Sequence, residues 1–355
     1  MEDKIAPIVK AYRVSASAPC RVDMGGTLDL ATFYIPLRAQ GPSTFNLALD
    51  LRTTVTLAPH PGPGVRISSR GFEAAEYAAA EAPFDHPMGL FFAVAAHYGL
   101  QGLGIQIESA SPPRSALGGS SVAAVALIGA LERCRRLAGE EPLALDQIVR
   151  RAHMLEESAA GRPCGMQDQL AAAFGGANAW YWEILDDGLG VRRQALAVKD
   201  GVALMAENIL VAYAGRPHAS HDVNGRWIER FRSGRDRKRW RRIAGCVREF
   251  TRALERGDWS QAATAMNTET DLRLEMTPDV LDPLGTALVE AARAAGCGGR
   301  FTGAGGGGCV WAIGPREAIN HLRGQWPMLL ASHPEAVLLD APPAMAGLQI
   351  ESPAR

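Results

Sequence analysis

The apolar and polar positions of the 355-residue chain change their period several times, and each period predicts a kind of element. Between residues 11 and 60, short apolar runs alternate with turn residues, which is the pattern of paired strands. Residues 104–108 alternate apolar and polar side chains and predict another strand, as do residues 204–213. Apolar residues at helical spacing predict helices over residues 84–98, 122–131, 145–160, 226–248 and 281–296. The pattern changes near residue 200, where we expect a second domain to begin.

Composition narrows the kind of protein. Apolar residues at 47% and charged residues at 21% are ordinary for a soluble globular chain, and the length suffices for two cores. A formal net charge of −1 gives no reason to expect a nucleic-acid or membrane partner. The start of the chain lacks a signal-peptide layout, and the apolar run at 122–131 is too short to span a bilayer. The six cysteines form no CxxC pair, so we expect a reduced, cytoplasmic protein.

The loop at residues 111–121 is rich in glycine and serine and leads directly into an apolar helix. Gly118 and Gly119 let the backbone turn sharply and approach a ligand closely. Ser120 or Ser121 is a natural N-cap for the helix. The backbone N–H groups at such a helix start bind phosphate, and either hydroxyl can reach a Mg²⁺ carried on that phosphate. A capped turn that binds nothing is the alternative.

A second glycine-rich stretch, residues 303–308, formally matches the GxGxxG pattern of dinucleotide-binding folds. It follows a predicted helix and opens a strand, whereas the dinucleotide loop follows a strand and opens a helix. Adjacent glycines carry a high cost in backbone entropy, so we expect them only where side chains would collide with something. Near a phosphate loop, a side chain at these positions would collide either with the nucleotide or with the loop itself.

Charged residues flank two further turns. Arg21 precedes the Gly25-Gly26 turn and Asp29 follows it, which suits the binding of a polyol or a phosphate, although a surface ion pair beside a turn is an equal alternative. Asp168 follows a turn rich in proline and glycine and opens an alanine-rich segment. This carboxylate is either the N-cap of a helix or a buried acid that faces a ligand.

The chain thus has three glycine-turn segments, at Gly25-Gly26, at residues 111–121 and at residues 303–308, and Asp168 lies between the second and the third. Together they resemble the motifs of the GHMP kinases, which include galactokinases and homoserine, mevalonate and phosphomevalonate kinases. The similar segments are residues 18–26 (APCRVDMGG), 113–123 (PRSALGGSSVA) and 303–308 (GAGGGG). Ala116 stands where the second motif has a glycine. Residues 163–169 (PCGMQDQ) are similar to the sugar branch of the family, which includes galactokinases, fucokinases and heptose 7-phosphate kinases.

The resemblance implies a role for each matching position. Asp168 would be the base or the hydroxyl-orienting acid, and Arg21 would pair with it and stabilise charge on the transferring phosphoryl group. ATP would be bound by Pro113, Ser115, Leu117, Gly118, Gly119, Ser120, Ser121, Gly303, Gly305 and Gly306. The acceptor would be bound by Asp23, Gly26, Asp29, Gln167 and His218. Mg²⁺ would be held by Ser120, Ser121 and Glu156, with Glu157 as the alternative carboxylate.

The resemblance also implies an α+β fold of two domains. Residues 1–205 would form an ATP-binding N-terminal GHMP kinase domain that resembles domain 2 of ribosomal protein S5, and residues 206–355 a ferredoxin-like C-terminal GHMP kinase domain. The implied activity is an ATP- and Mg²⁺-dependent kinase that phosphorylates a hydroxyl of a sugar or sugar phosphate. We expect a monomer or homodimer without a nucleic-acid or membrane partner. The alternatives are a non-catalytic sugar- or nucleotide-binding sensor and a GHMP kinase that acts on a non-sugar alcohol.

Overall fold

The computed structural model describes residues 4–185, 188–197, 201–217 and 220–351. The strands in these residues are β1 (Val14–Met24), β2 (Ser43–Pro59), β3 (Val65–Ser69), β4 (Ala75–Tyr77), β5 (Leu103–Ser109), β6 (Ala177–Leu185), β7 (Gly188–Ala195), β8 (Ile209–Tyr213), β9 (Gly298–Phe301), β10 (Cys309–Ile313), β11 (Val337–Leu339) and β12 (Gln349–Ile350). They form two sheets.

The α-helices in the same residues are α1 (Ile5–Ala11), α2 (Ala31–Tyr34), α3 (Gly89–Tyr98), α4 (Gly119–Leu137), α5 (Leu145–Ala160), α6 (Gln167–Phe174), α7 (Ser220–Arg232), α8 (Arg237–Arg256), α9 (Trp259–Met276), α10 (Pro283–Ala294) and α11 (Arg316–Leu330). Short 3₁₀ turns lie at Arg38–Gln40, Ala79–Glu81, Val202–Glu207 and Pro278–Val280. Helices combined with mixed sheets confirm the predicted α+β class.

The first sheet has the order β12-β1-β2-β5-β3-β4, and β6 pairs with β2 and with β7. The pairings are antiparallel except for β3 with β5, which is parallel. Every residue of β1 is buried, since the strand lies between β12 and β2 and both α4 and α6 pack against it. The second sheet has the order β11-β8-β10-β9 and is antiparallel.

Two apolar cores hold the elements together. The larger core fills the space between the first sheet, α4 and helices α7 to α9, and the smaller core lies between the second sheet, α10 and α11. The ring of Phe250 on α8 lies 5.1 Å from the ring of Phe45 on β2 and 6.2 Å from that of Trp311 on β10. Helix α8 therefore packs against both sheets, and its burial joins the two halves of the chain.

Four sequence predictions are corrected by the structure. The helix predicted over residues 84–98 begins only at Gly89. The helix predicted over residues 226–248 is broken into α7 and α8 by a turn at residues 233–236, where Asp236 takes a left-handed φ of 60° and binds arginines on both sides. The strand predicted over residues 204–213 begins only at Ile209, after a 3₁₀ turn. Helix α4 begins at Gly119 with Gly118 as its N-cap, so neither Ser120 nor Ser121 is the N-cap. The helix predicted over residues 145–160 is confirmed.

The end of the chain returns to the first sheet. After β11, the backbone leaves the second sheet, and β12 pairs with β1 in the register Ala16 to Ile350 and Ser17 to Gln349. The division of the chain at residue 205 stays a prediction. It assigns β12 to the C-terminal domain, whereas β12 pairs with β1 in the first sheet. No helix among the described residues is both long and apolar enough to cross a membrane.

Candidate active site

A cavity of about 540 Å³ opens where the loop at residues 111–118 meets β1, α6 and α7. The cavity has an apolar end, lined by Phe72, Pro87, Phe91 and Ile107, and a polar end on the side of α6 and α7. Nothing in the sequence pattern singled out the apolar end, because its side chains come from separate elements that look like ordinary core. Of the glycine-turn segments, Gly118, Gly119 and Gly303 line the cavity.

An arginine and an aspartate from distant parts of the chain meet at the middle of this cavity. Arg21, on the buried strand β1, donates from Nε to Oδ1 of Asp168 at 2.7 Å and from Nη1 to the carbonyl oxygen of Ala116 at 2.7 Å. Burial alone would lower the pKa of Arg21, but the carboxylates of Asp168 and Asp23 raise it above its ordinary value. Arg21 is therefore a fixed positive charge, 3% exposed, while the Asp168 side chain is 23% exposed to the cavity.

Asp168 is the second residue of α6 and does not serve as its N-cap, which is Met166. Its position against the glycine-serine loop depends on Gly118, whose φ is 82°. A Cβ at Gly118 would lie 3.2 Å from Cγ of Asp168. The glycine therefore lets the start of α4 approach the carboxylate, so the helix N-terminus and Asp168 face the same space.

Glu156, near the end of α5, collects three side-chain donors. The hydroxyls of Ser120 and Ser121 donate to Oε1 and Oε2 at 3.1 and 2.6 Å, and Gln169 Nε2 donates to Oε2 at 2.6 Å. Burial raises the pKa of Glu156, and the Ser121 hydroxyl bond partly offsets that rise. The serines stand in the first turn of α4 and turn toward this carboxylate, which explains why they do not cap the helix. Glu157, one residue on, is exposed and does not line the cavity.

This group has the chemistry of a magnesium site. Mg²⁺ is usually held by one or two carboxylates together with substrate phosphates and waters, and hydroxyl oxygens suit it. Among the described residues, no cluster of three or more His, Cys, Asp or Glu side chains is placed to hold a metal. Glu156, Ser120 and Ser121 therefore fit a Mg²⁺ that arrives with a phosphate at the start of α4.

The glycines at residues 303–308 pack mainly against protein. A Cβ at Gly308 would lie 2.7 Å from the carbonyl oxygen of Ser115, and the N–H of Cys309 donates to that oxygen at 2.9 Å. A Cβ at Gly305 would lie 2.4 Å from a methyl of Val280. At Gly308 and Gly305, a side chain would therefore collide with the loop at residues 111–118 and with Val280. Gly303 lines the cavity, whereas Gly305 and Gly306 do not.

The polar end of the cavity is built around Asp29. Its Oδ2 accepts from the backbone N–H of Gln167 at 3.2 Å. Burial raises the pKa of Asp29 to about 6, and the negative charge of Asp168 contributes to the rise. Thr27, which has an unusual positive φ of 77°, bonds through its hydroxyl to Asn224 of α7 at 3.2 Å. Both halves of the chain therefore contribute polar groups to this end of the cavity.

Besides Gly305 and Gly306, three predicted site residues do not line the cavity. Asp23 is completely buried, and its Oδ1 accepts from the backbone N–H of Gly303 at 2.6 Å. Gly26 lies beside Asp23, because a Cβ there would be 2.5 Å from Oδ2 of that carboxylate. The side chain of Leu117 is in the large core. These residues support the loops from behind. His218 lies outside the described residues.

A chain of buried charges behind Asp23 was missed by the sequence analysis. Arg300 Nη1 lies 3.3 Å from Oδ2 of Asp23, and Arg300 Nε donates to Glu269 at 2.8 Å. Glu269 also accepts from Nε of Arg273 at 2.9 Å, and Arg273 Nη2 donates to the carbonyl oxygen of Gly26 at 2.7 Å. The i, i+4 spacing of Glu269 and Arg273 was the available signal, but it is also the spacing of an ordinary surface pair.

The site therefore brings together a helix start for phosphate, a carboxylate with hydroxyls for a cation, and an Asp–Arg pair beside a polar recess. These are the parts that phosphoryl transfer requires, because that reaction depends mainly on positioning and charge neutralisation. Ser115, Pro113 and Gly119 also line the cavity, and their role in nucleotide binding stays a prediction.

Family models and a related sequence match parts of this chain. The family model of the GHMP kinases N terminal domain matches residues 85–176, and that of the GHMP kinases C terminal matches residues 250–327. A mevalonate kinase of Pyrococcus horikoshii is 28% identical over 233 residues, which are 60% of this chain and 60% of that protein.

Two solved structures share the fold across nearly the whole chain. A D-glycero-D-manno-heptose 1-phosphate kinase from Bacteroides thetaiotaomicron is 19% identical, with a TM-score of 0.67 and coverage of 96% of this chain and 99% of that one. A galactokinase from Lactococcus lactis, complexed with galactose, is 16% identical, with a TM-score of 0.70 and coverage of 98% of both chains.

Proposed function

The chain belongs to the GHMP kinase family, and on that premise we propose that it transfers the γ-phosphoryl group of ATP to a hydroxyl of a sugar or sugar phosphate. The observation that carries this proposal is the meeting of Asp168 and Arg21 at 2.7 Å, in the cavity that also holds the Glu156 carboxylate with its two serines. Sequence separation makes this meeting informative, because the two residues are 147 positions apart.

Each residue has a definable task in this reaction. Bound Mg²⁺ and ATP would supply the phosphoryl group and neutralise part of its charge. Glu156, Ser120 and Ser121 would hold the metal, and the N–H groups at the start of α4 would hold the phosphates. Asp168 would accept the proton of the attacking hydroxyl or orient it, while the acceptor oxygen forms the new bond to phosphorus and ADP leaves.

Arg21 has two tasks. It holds the Asp168 carboxylate in place, and its positive charge would stabilise the negative charge on the transferring group. A Cβ at Gly303 would lie 3.5 Å from Nη2 of Arg21, so the glycine keeps the space beside this guanidinium open. Asp29 would accept hydrogen bonds from the acceptor's other hydroxyls, with Gln167 and Thr27 beside it.

The sugar acceptor is supported by the polar end of the cavity and by the segment at residues 163–169. A non-sugar alcohol is the second candidate, because the mevalonate kinase relative is 28% identical to this chain. The family motifs are shared by both acceptor classes, so the acceptor must be measured.

The test is release of ADP with Mg-ATP and a panel of hexoses, heptoses, their phosphates and mevalonate. Asp168→Asn should lower kcat at least about 100-fold on the acceptor that is used, because loss of a general base costs about 10² to 10⁴. Asp146→Asn is the matched control, since Asp146 is an exposed carboxylate in the first turn of α5. Turnover that survives in Asp168→Asn would reject this role, and ligand binding without any turnover would favour a sensor.

A further inference from the structure

The end of the chain contacts the helix that carries Asp168. Residues 341–351, here called the C-terminal segment, leave the second sheet and cross the first one. The backbone N–H of Ala344 donates to Ala48 at 2.9 Å, and its carbonyl oxygen accepts from Gly176 at 2.7 Å. Arg52 on β2 donates to the carbonyl oxygens of Ala346 and Gly347 at 3.2 and 2.7 Å. The segment is therefore fixed by bonds along its length.

The contact with α6 is close enough to exclude any side chain. A Cβ at Gly347 would lie 2.0 Å from the carbonyl oxygen of Ala173, and a Cβ at Gly175 would lie 2.4 Å from the backbone nitrogen of Gly347. On the other side, a Cβ at Gly129 of α4 would lie 2.9 Å from the Leu348 side chain. The segment thus packs between the two helices that carry Asp168 and the serines.

This contact also gives a hydrogen-bond partner to a carbonyl group at the C-terminal end of α6. The last carbonyl groups of a helix lack partners within the helix, and Leu348 N–H donates to the carbonyl oxygen of Ala173 at 3.1 Å. Helix α6 has eight residues, about 12 Å, so a shift at its end is passed to its start. Asp168 and Gln169 stand at that start and bond to Arg21 and Glu156.

We propose that the C-terminal segment positions Asp168 through α6, with Gly347 as the positioning residue. The inference rests on the proposed kinase activity for its kinetic readout, but the contact itself does not depend on which acceptor is used. A displacement of α6 would move the carboxylate relative to Arg21, and the three atoms nearest to a Cβ at Gly347 belong to Ala173 and Gly175 rather than to α4. The effect should therefore fall mainly on kcat, because misplacement of about 1 Å can cost about 100-fold in rate. The KM for ATP should rise less, through the hydrogen bond from Gln169 to Glu156.

Gly347→Ala tests this directly, since the new Cβ forces α6 and the segment apart. We expect kcat to fall at least about tenfold. Gly324→Ala is the matched control, because Gly324 lies in α11 with nothing within 4 Å of a Cβ, and it should leave kcat unchanged. In an Asp168→Asn background, Gly347→Ala should cause no further loss, because both changes act on one group. An unchanged kcat, or an equal loss in both backgrounds, would overturn the proposal.

Two further measurements keep the outcomes distinct. If Gly347→Ala does not fold, Arg52→Gln loosens the segment without adding an atom against α6 and should show the same pattern. Amide hydrogen exchange across α6 needs no acceptor and should be faster in either variant than in the wild-type chain. Faster exchange together with wild-type protein that phosphorylates nothing would reject the proposed function and support the positioning. Unchanged exchange in α6 would reject the positioning.

Discussion

Replacement of Asp29 by asparagine should make the protein more stable at neutral pH and less able to bind its acceptor. Burial and the nearby Asp168 charge raise the pKa of Asp29 from 3.8 to about 6. The folded chain therefore prefers the protonated form, and ionisation above pH 6 costs stability. The amide of asparagine keeps an oxygen for the Gln167 N–H but carries no charge.

The size and the pH window follow from the same pKa. A group whose pKa is raised on folding stabilises the protein fully below its unfolded pKa, and this stabilisation is lost as pH rises through the folded pKa. A rise of about two pKa units corresponds to about 3 kcal/mol, lost between about pH 4 and pH 6. Between about pH 4.5 and pH 7.5, the folded chain loses about 2 kcal/mol of this stabilisation, which corresponds to a fall of about 3 °C in Tm for a chain of this length.

Thermal unfolding of wild type and Asp29→Asn, without ligands, measures this difference. The advantage in Tm of the variant should be larger at about pH 7.5 than at about pH 4.5, by about 3 °C. Asp146→Asn controls for the loss of one negative charge from the chain. A difference in Tm that does not change with pH, or a variant that is less stable at the higher pH, would refute the reasoning. In kinetics, the acceptor KM of Asp29→Asn should rise while the KM for ATP stays constant.

Two more predictions use neighbouring residues as controls. Glu156→Gln should raise the Mg²⁺ concentration for half-maximal activity at least about tenfold, because its carboxylate contacts both serines, while exposed Glu157→Gln stays within about twofold; equal effects would contradict this assignment. Gly308 and Gly296 both have positive φ, 87° and 82°, so alanine is strained at either position. Only at Gly308 would the new Cβ also collide with backbone, at Ser115. Denaturant unfolding should show about 1 kcal/mol lost for Gly296→Ala and at least about 1 kcal/mol more for Gly308→Ala; equal losses would mean that the loop contact is unimportant.

Local sequence patterns predicted an element correctly where its conformation depends on neighbouring residues alone. Helix α5 was predicted with its observed bounds, because its apolar face repeats at helical spacing over 16 residues. Gly118, Gly303 and the run Gly305–Gly308 were singled out because positive φ and close approach are demands that few other residues meet, and all of these glycines have positive φ. The break between α7 and α8 was missed because basic residues continue through it, although Ser233-Gly234 within the turn is a typical helix-breaking signal.

Other features depended on contacts that no local pattern contains. The choice between Glu156 and Glu157 is a choice of helix face, and only the packing of α5 beside α4 places Glu156 against the serines. Asp23 looked like an acceptor ligand beside a glycine turn, but pairing with Arg300 keeps it behind the loop. Its burial could not be read from the sequence, because its partner is 277 positions away.

The sequence by itself determined the family and the glycine turns and predicted the candidate site residues, because each is a short segment whose backbone conformation or chemistry limits the residues that fit. The tertiary structure decided which of those side chains face the cavity, and it placed Asp29 where its pKa rises. It also brought Gly347 and Leu348 against α6. These outcomes depend on burial and on charges far apart in the chain, and such free energies exist only once the folded chain has brought the groups together.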